Sequence, residues 1–367
     1  MWNVTPERLT DDRTGRTILR LTSDPAENKL SYYDISPWSP DGREILFSSA
    51  PSDSLTIKHR DNLASTKGAV FTMDAETFAI RPVAEGAFFN THTATHAMWH
   101  PDGKRIYFYR APGVVEAVDR ATGQTLLQFE GTLRQFRPDG GKISWTTTRV
   151  PAGLYWMNED GTGVECLATS EELYALTPNR AEFALEEVHL KNAKWSPDGR
   201  WLLVANGIWT APFVNKAGVR RSLFLVNPET GEKKWLCYFG HHHSWAPDSG
   251  SIVFCASESS DTREGAPRVW SVDRASGALE TVADASLEGH PVANADGSLL
   301  VTEDDDGILL VHRAERRVER LAFYLQRFNK THEGTHSHCA WNPDGSQILY
   351  NSAETGPSQL YLIPLNA

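Results

Sequence analysis

WSPDGRWLLVAN, residues 195–206, decides the fold. An aromatic residue and a small polar one lead into Pro197, Asp198 and Gly199, and a β-type run follows. Proline presets φ at the first central position of a turn, aspartate bonds back to the backbone, and glycine supplies a positive φ. The aromatic ends one strand and the residues after the turn alternate as a second strand should, so the phrase reads as a hairpin. Six further copies occur: WSPDGREILFSS from Trp38, WHPDGKRIYFYR from Trp99, FRPDGGKISWTT from Phe136, WAPDSGSIVFCA from Trp245, ANADGSLLVTED from Ala293 and WNPDGSQILYNS from Trp341. Their starts lie 37 to 61 residues apart, near the length of a four-stranded propeller blade.

A second signal sits in the outer half of the blades. MDAETFAIRPV (73–83), MNEDGTGVECL (157–167), VNPETGEKKWL (226–236) and VDRASGALETV (272–282) each read as two strands joined by a polar turn. No window of useful length keeps a helical apolar period. The expectation is an all-β, seven-bladed β-propeller forming one domain over residues 1–367. Its last blade lacks an outer strand after QLYLIPLN (359–366), and TGRTILRLT (14–22) fits that vacancy, so the N- and C-terminal strands close the ring in one blade.

Bulk properties exclude several function classes. The chain has 367 residues, of which 40% are hydrophobic, and carries a net charge of −11. An acidic chain is a poor partner for nucleic acid, whose phosphates need a basic surface. No run of about 18 apolar residues is present to span a membrane. The opening residues, MWNVTPERLTDDRTG, lack the apolar centre of a secretory signal. Cys166, Cys237, Cys255 and Cys339 show no CxxC pairing and read as buried, reduced thiols. A cytoplasmic location is expected on these grounds.

Histidines mark the chemistry. His96, His242, His290 and His338 each stand three residues before the aromatic position of a phrase, and His336 stands five before. Equivalent positions in different blades converge around the axis, which is what a metal site requires. His336 and His338 share a strand face by alternation, His290 comes from the neighbouring blade, and Glu333 adds a carboxylate. Three imidazoles and one carboxylate oxygen suit manganese, iron or zinc. Within the run His241, His242 and His243, alternation turns His242 toward the axis and its neighbours away. His92, His96, His189 and Tyr33 are further candidates for the cleft.

These segments resemble the oligogalacturonate lyases, a family of seven-bladed propeller polysaccharide lyases. GTHSHCAWNPDGSQILY is similar to that family's segment with two histidines before the last phrase, and GHPVANADGSLLV to its segment with one. GHHHSWAPDSGSIVF is similar to the blade carrying its catalytic histidine, and DDRTGRTILRLT followed by LSYYDISPWSPDG to its opening. The resemblance implies β-elimination of short uronate oligosaccharides, with manganese held by His290, His336 and His338. It puts a glutamine at the fourth ligand, where this chain has Glu333, which strengthens the hold on a hard cation and makes the site less attractive to an anionic substrate. His242 takes the role of the base that removes the C5 proton. The family's arginine falls on VRRSLFLVN, at Arg221 or at Arg220; apart from the resemblance, His96 and Tyr33 stand where they either line the cleft and bind substrate or simply pack. Two other readings stay open: a metal-binding propeller enzyme acting on another uronate or sugar, and a non-catalytic scaffold similar to the Tol-associated propellers.

Overall fold

Each turn phrase folds as its chemistry requires. In the computed structural model, which describes residues 2–52, 65–147, 151–210, 214–215, 219–257, 266–287, 289–323, 336–354 and 356–365, all seven phrases close alike. The residue before proline, or before Ala295 in the sixth phrase, accepts a backbone hydrogen bond from the residue three later, at 2.8–3.1 Å. The aspartate Oδ1 accepts from the backbone N–H two residues on, at 2.7–3.2 Å. The next position has φ of 68–83° where it is glycine, and 59° at Ser249 in the fifth phrase. Ser249 keeps that left-handed conformation and uses its hydroxyl to accept from Asp198 N at 2.9 Å, tying one turn to the preceding phrase.

The hairpins extend into seven separate antiparallel sheets of four or five strands, the blades of a seven-bladed β-propeller. The chain divides into two compact units, residues 1–131 with 292–367 and residues 132–291. In the first, blade 1 comprises Ala26–Lys29, Glu44–Pro51, Ser65–Asp74 and Ala79–Asn90, with Trp2–Asn3 at its edge. Blade 2 comprises Met98–Trp99, Arg105–Ala111, Val114–Asp119 and Thr125–Glu130. Blade 6 runs Val292–Ala293, Leu299–Glu303, Gly307–His312 and Arg317–Phe323. Blade 7 joins Ala340–Trp341, Gln347–Ser352 and Gln359–Pro364 to the N-terminal strands Thr17–Arg20 and Glu7–Thr10. The two ends of the chain therefore share one sheet, with Leu19 paired to Leu362, and Glu7–Thr10 adds a fifth strand outside the expected closure.

The second unit holds three blades. Blade 3 is Gln135–Phe136, Lys142–Thr147, Gly153–Asn158 and Glu165–Thr169. Blade 4 is Val188–Trp195, Leu202–Thr210, Arg221–Val226 and Lys233–Phe239, with Val214–Asn215 beside it. Blade 5 is His241–Trp245, Ser251–Ser257, Pro267–Asp273 and Leu279–Thr281. The helix Ser170–Leu176 lies between blades 3 and 4 in the chain, with Thr169 and Glu172 forming its capping box. Among the described residues no helix is long and apolar enough to cross a membrane.

The core lies between blades, and strand period two feeds both of its sides. Leu202 and Val204 pack toward Leu154 and Trp195, while Leu203 and Ala205 of the same strand pack toward Ile252 and Phe254. Aromatics of the phrases plug the joints. Trp38, Trp99, Phe136, Trp195 and Trp341 are buried. Three indoles also hydrogen-bond the preceding blade: Trp99 Nε1 donates to Pro37 O (2.9 Å), Trp245 Nε1 to Lys194 O (3.1 Å) and Trp341 Nε1 to Val292 O (2.9 Å). Each acceptor is the carbonyl just before the neighbouring phrase's aromatic position. One expectation fails here. Cys237, Cys255 and Cys339 are buried, but Cys166 is exposed, because it lies on the outermost strand of its blade.

The N-terminal strand joins two of these joints. Ile18 packs with Tyr361, Ile363 and Ile348, while Leu19 and Leu21 pack with Leu349 and Leu362. Truncating Ile18 to alanine is expected to cost about 2–5 kcal/mol of unfolding free energy in urea titrations. Leu126→Ala on the exposed edge of blade 2 should stay within about 0.5 kcal/mol.

Candidate metal centre and catalytic face

Alternation along the inner strands breaks at the position three residues before the aromatic. His96, Asn192, His242 and His338 occupy it in four blades, and all four are left-handed, with φ of 55°, 59°, 47° and 43°. Strand register shifts across it, between Lys191 and Lys194 and between His241 and Ser244. An extra residue bulges out and re-aims its side chain. Histidine and asparagine tolerate this conformation better than most residues, and holding a side-chain-bearing residue there costs about 1–2 kcal/mol.

The bulge overrides the expected arrangement of the histidine run. His241 and His242 do not diverge; their rings meet edge to face at 4.3 Å. His243 is fully buried against Phe239, and its carbonyl accepts from the buried Lys194 ammonium. His242 Nδ1 lies 2.7 Å from Gly289 O. A carbonyl only accepts, so Nδ1 carries the proton and the lone pair falls on Nε2. The His242 ring stacks on that of His290 at 3.8 Å, and His290 is buried. Arg221 is buried beneath this run, its guanidinium donating to Gly240 O and lying over the Phe239 ring. Arg220 points the other way, toward Glu182 at 3.4 Å and over Tyr238. His189 is half-buried on the inner strand of blade 4; burial, and then the Lys191 cation, hold its pKa below the usual histidine value.

In the other compact unit, His336 and His338 precede the first strand of blade 7 rather than lying in it. Their rings nevertheless stack at 5.4 Å and 18°. His338 is 2% exposed, and its Nδ1 lies 3.1 Å from Ser31 O, which again puts the lone pair on Nε2. Asn351 braces the pair by donating to His336 O and accepting from Leu30 N. Tyr32 and Tyr33 occupy the break in blade 1's inner strand, between Ala26–Lys29 and the bridge of Trp38 to Ile45. Tyr33 is 3% exposed, with its ring against Tyr32 and His338. Tyr32, His92 and His336 are half-exposed. His96 is buried, its ring tilted against Tyr109.

In the first unit His336 and His338 present two stacked imidazoles, and in the second His290 lies buried against the His242 ring. Neutral imidazole nitrogens suit a borderline divalent cation, so these histidines are candidate metal ligands. Glu333 lies outside the described residues. The sequence pointed to the histidines but not to Ser31 O and Gly289 O, the carbonyls that fix their tautomers. Backbone acceptors carry no residue signature. Tyr32 had a signal, the tyrosine pair itself, but period two could not say which ring stays open.

No protein-family model matches the chain, and no curated protein sequence does. Solved structures do. One described as oligogalacturonate lyase in complex with manganese has a TM-score of 0.73 at 17% identity, covering 99% of this chain and 97% of that chain. An oligogalacturonate lyase from Vibrio parahaemolyticus has a TM-score of 0.72 at 14% identity, covering 99% and 97%. Hydrazine synthase from Kuenenia stuttgartiensis has a TM-score of 0.55 at 14% identity, covering 92% and 96%. At such identities the likeness establishes the propeller fold.

The bulge can be tested away from the candidate metal ligands. Asn192→Ala should lower the urea unfolding free energy by about 1 kcal/mol, while Asn192→Gly, which relieves the left-handed strain, should not. Equal effects from the two would remove the bulge as a source of strain.

Proposed function

We propose that the chain is a metal-dependent lyase that cleaves short uronate oligosaccharides by β-elimination, with manganese as the metal. The observation that carries the proposal is the stacked imidazole pair His336 and His338, with Ser31 O leaving the His338 lone pair on Nε2; His290 is the third ligand of the proposal. Likeness in fold to oligogalacturonate lyases, one of them in complex with manganese, supports the choice of reaction and ion. Glu333 completes the ligand set as an oxygen donor. A divalent cation, when bound, neutralises the uronate carboxylate and so acidifies the neighbouring C–H.

His242 acts as the base. Its Nε2 takes the C5 proton, the electrons of that bond form C4=C5, and the C4–O4 bond breaks, the leaving oxygen taking a proton from solvent. Hydrogen bonding of Nδ1 to Gly289 O keeps the lone pair on Nε2 and stabilises the imidazolium as it forms. Arg221, rather than Arg220, balances the substrate's negative charge, since Arg220 is turned toward Glu182. The substrate is a small oligosaccharide. Three buried thiols fit a reducing compartment, and the cytoplasm is proposed as its place of action.

The conjugated double bond left at C4=C5 absorbs in the ultraviolet, which gives the assay. Digalacturonate with manganese should yield that absorbance, and a chelator should abolish it. His242→Ala is expected to lower kcat by about 10²–10⁴-fold with manganese content unchanged. His336→Ala should weaken manganese binding by more than about tenfold in a titration. Bound manganese without unsaturated product from any uronate oligomer would refute the assignment.

A further inference from the structure

We propose that Tyr32 and His92 form a sugar subsite beside His336 and His338, with Tyr32 stacking on the apolar face of a uronate ring and His92 bonding its hydroxyls. The inference rests on the uronate lyase proposed above and goes beyond it by assigning residues that bind the sugar rather than the metal. Their position carries it. The His92 ring lies 5.2 Å from that of His336 and 5.4 Å from that of Tyr32. The Tyr32 ring lies 5.0 Å from that of His338. Yet His92 is not itself among the candidate metal ligands. It stands next to them, where the rest of a bound sugar would lie.

Ser31, Tyr33, Thr91, Ala94, Thr95 and His338 are all buried, while Tyr32 and His92, with His336 beside them, are half-exposed. A tyrosine ring presents a negative face to the C–H bonds on one side of a pyranose, and an imidazole both donates and accepts hydrogen bonds. Ligand sites combine such a surface with a few placed polar groups.

The backbone beneath them is clamped. Asn90 Oδ1 accepts from His92 N and Thr93 N at 2.9 and 2.8 Å. Thr91 O is held by Lys29 Nζ at 2.9 Å, and that buried ammonium is also paired with the buried Glu27 at 3.7 Å. On the other side, Ser31 Oγ donates to Ala97 O at 2.7 Å, and Tyr32 O accepts from Ile35 N at 2.9 Å in a turn. A buried lysine carries a desolvation cost. Here it fixes the residue immediately before His92, so the two half-exposed rings meet a ligand already ordered.

The test is a calorimetric titration of the manganese-loaded full chain with D-galacturonate, which has no second sugar at C4 to expel, so the titration reads binding alone. Tyr32→Leu and His92→Ala should each raise Kd about tenfold, with manganese stoichiometry and thermal unfolding unchanged. Tyr32→Phe, which keeps the ring, should stay within about twofold. Wild-type Kd in both Tyr32→Leu and His92→Ala, while the wild type binds and cleaves uronates, would overturn the subsite and leave the lyase assignment standing. A fall in manganese content of Tyr32→Leu would also overturn it, since the ring would then be a prop for His338. If the wild type neither binds nor cleaves any uronate, the lyase assignment falls and the subsite with it.

Discussion

An indole N–H reaching back to the carbonyl of the preceding blade sets the spacing on which the rest of the structure depends. In blades 2, 5 and 7 the tryptophan of the turn phrase fills the joint with its ring and satisfies the neighbour's backbone with its nitrogen. Serine hydroxyls do the same between other inner strands, Ser31 Oγ donating to Ala97 O and Ser144 Oγ to Ala193 O, so buried carbonyls at the inner edge are met across the joint. Packing falls on both sides, as the alternating strand Leu202–Thr210 shows by feeding one core with its even residues and another with its odd ones.

The residues available for chemistry sit where this regularity is interrupted. Three positions before the aromatic the backbone turns left-handed, in a strand bulge at Asn192 and His242 and just before the inner strand at His96 and His338. Strained conformations of this kind persist where the surrounding structure over-determines them, and here the turn below and the paired strand beside do so. Two of the four, His242 and His338, also have Nδ1 set against a backbone carbonyl, Gly289 O and Ser31 O. At these two, backbone strain aims the ring and a backbone acceptor chooses its tautomer.

Fold and activity separate cleanly in this molecule. The same propeller, at similar identity, is found in lyases and in a hydrazine synthase, so architecture alone selects no reaction. In this chain the groups available for chemistry are a set of imidazoles, together with a half-exposed tyrosine and histidine on two clamped loops. Arg221 and Arg220, adjacent in sequence, illustrate how little the chain order says about such a set. One is buried under the histidine run and the other is turned to Glu182.

The seven blades and the shared sheet of the two chain ends were legible in the residues, because a Pro-Asp-Gly turn is a local event: its hydrogen bonds close within five residues, and an alternating run after it can only be a strand. The histidines at matched offsets were legible for the same reason. Alternation failed at His241–His243, where a bulge re-aims side chains that a period-two rule would place. Cys166 came out exposed because it stands on the outermost strand of its blade, where a thiol need not pack inward. Sequence by itself determined the repeat, the closure and which residue types stand near the turns. Tertiary structure alone decided which rings meet, which nitrogen keeps its lone pair and which tyrosine stays open, since each of these depends on a carbonyl or ring contributed by a distant part of the chain.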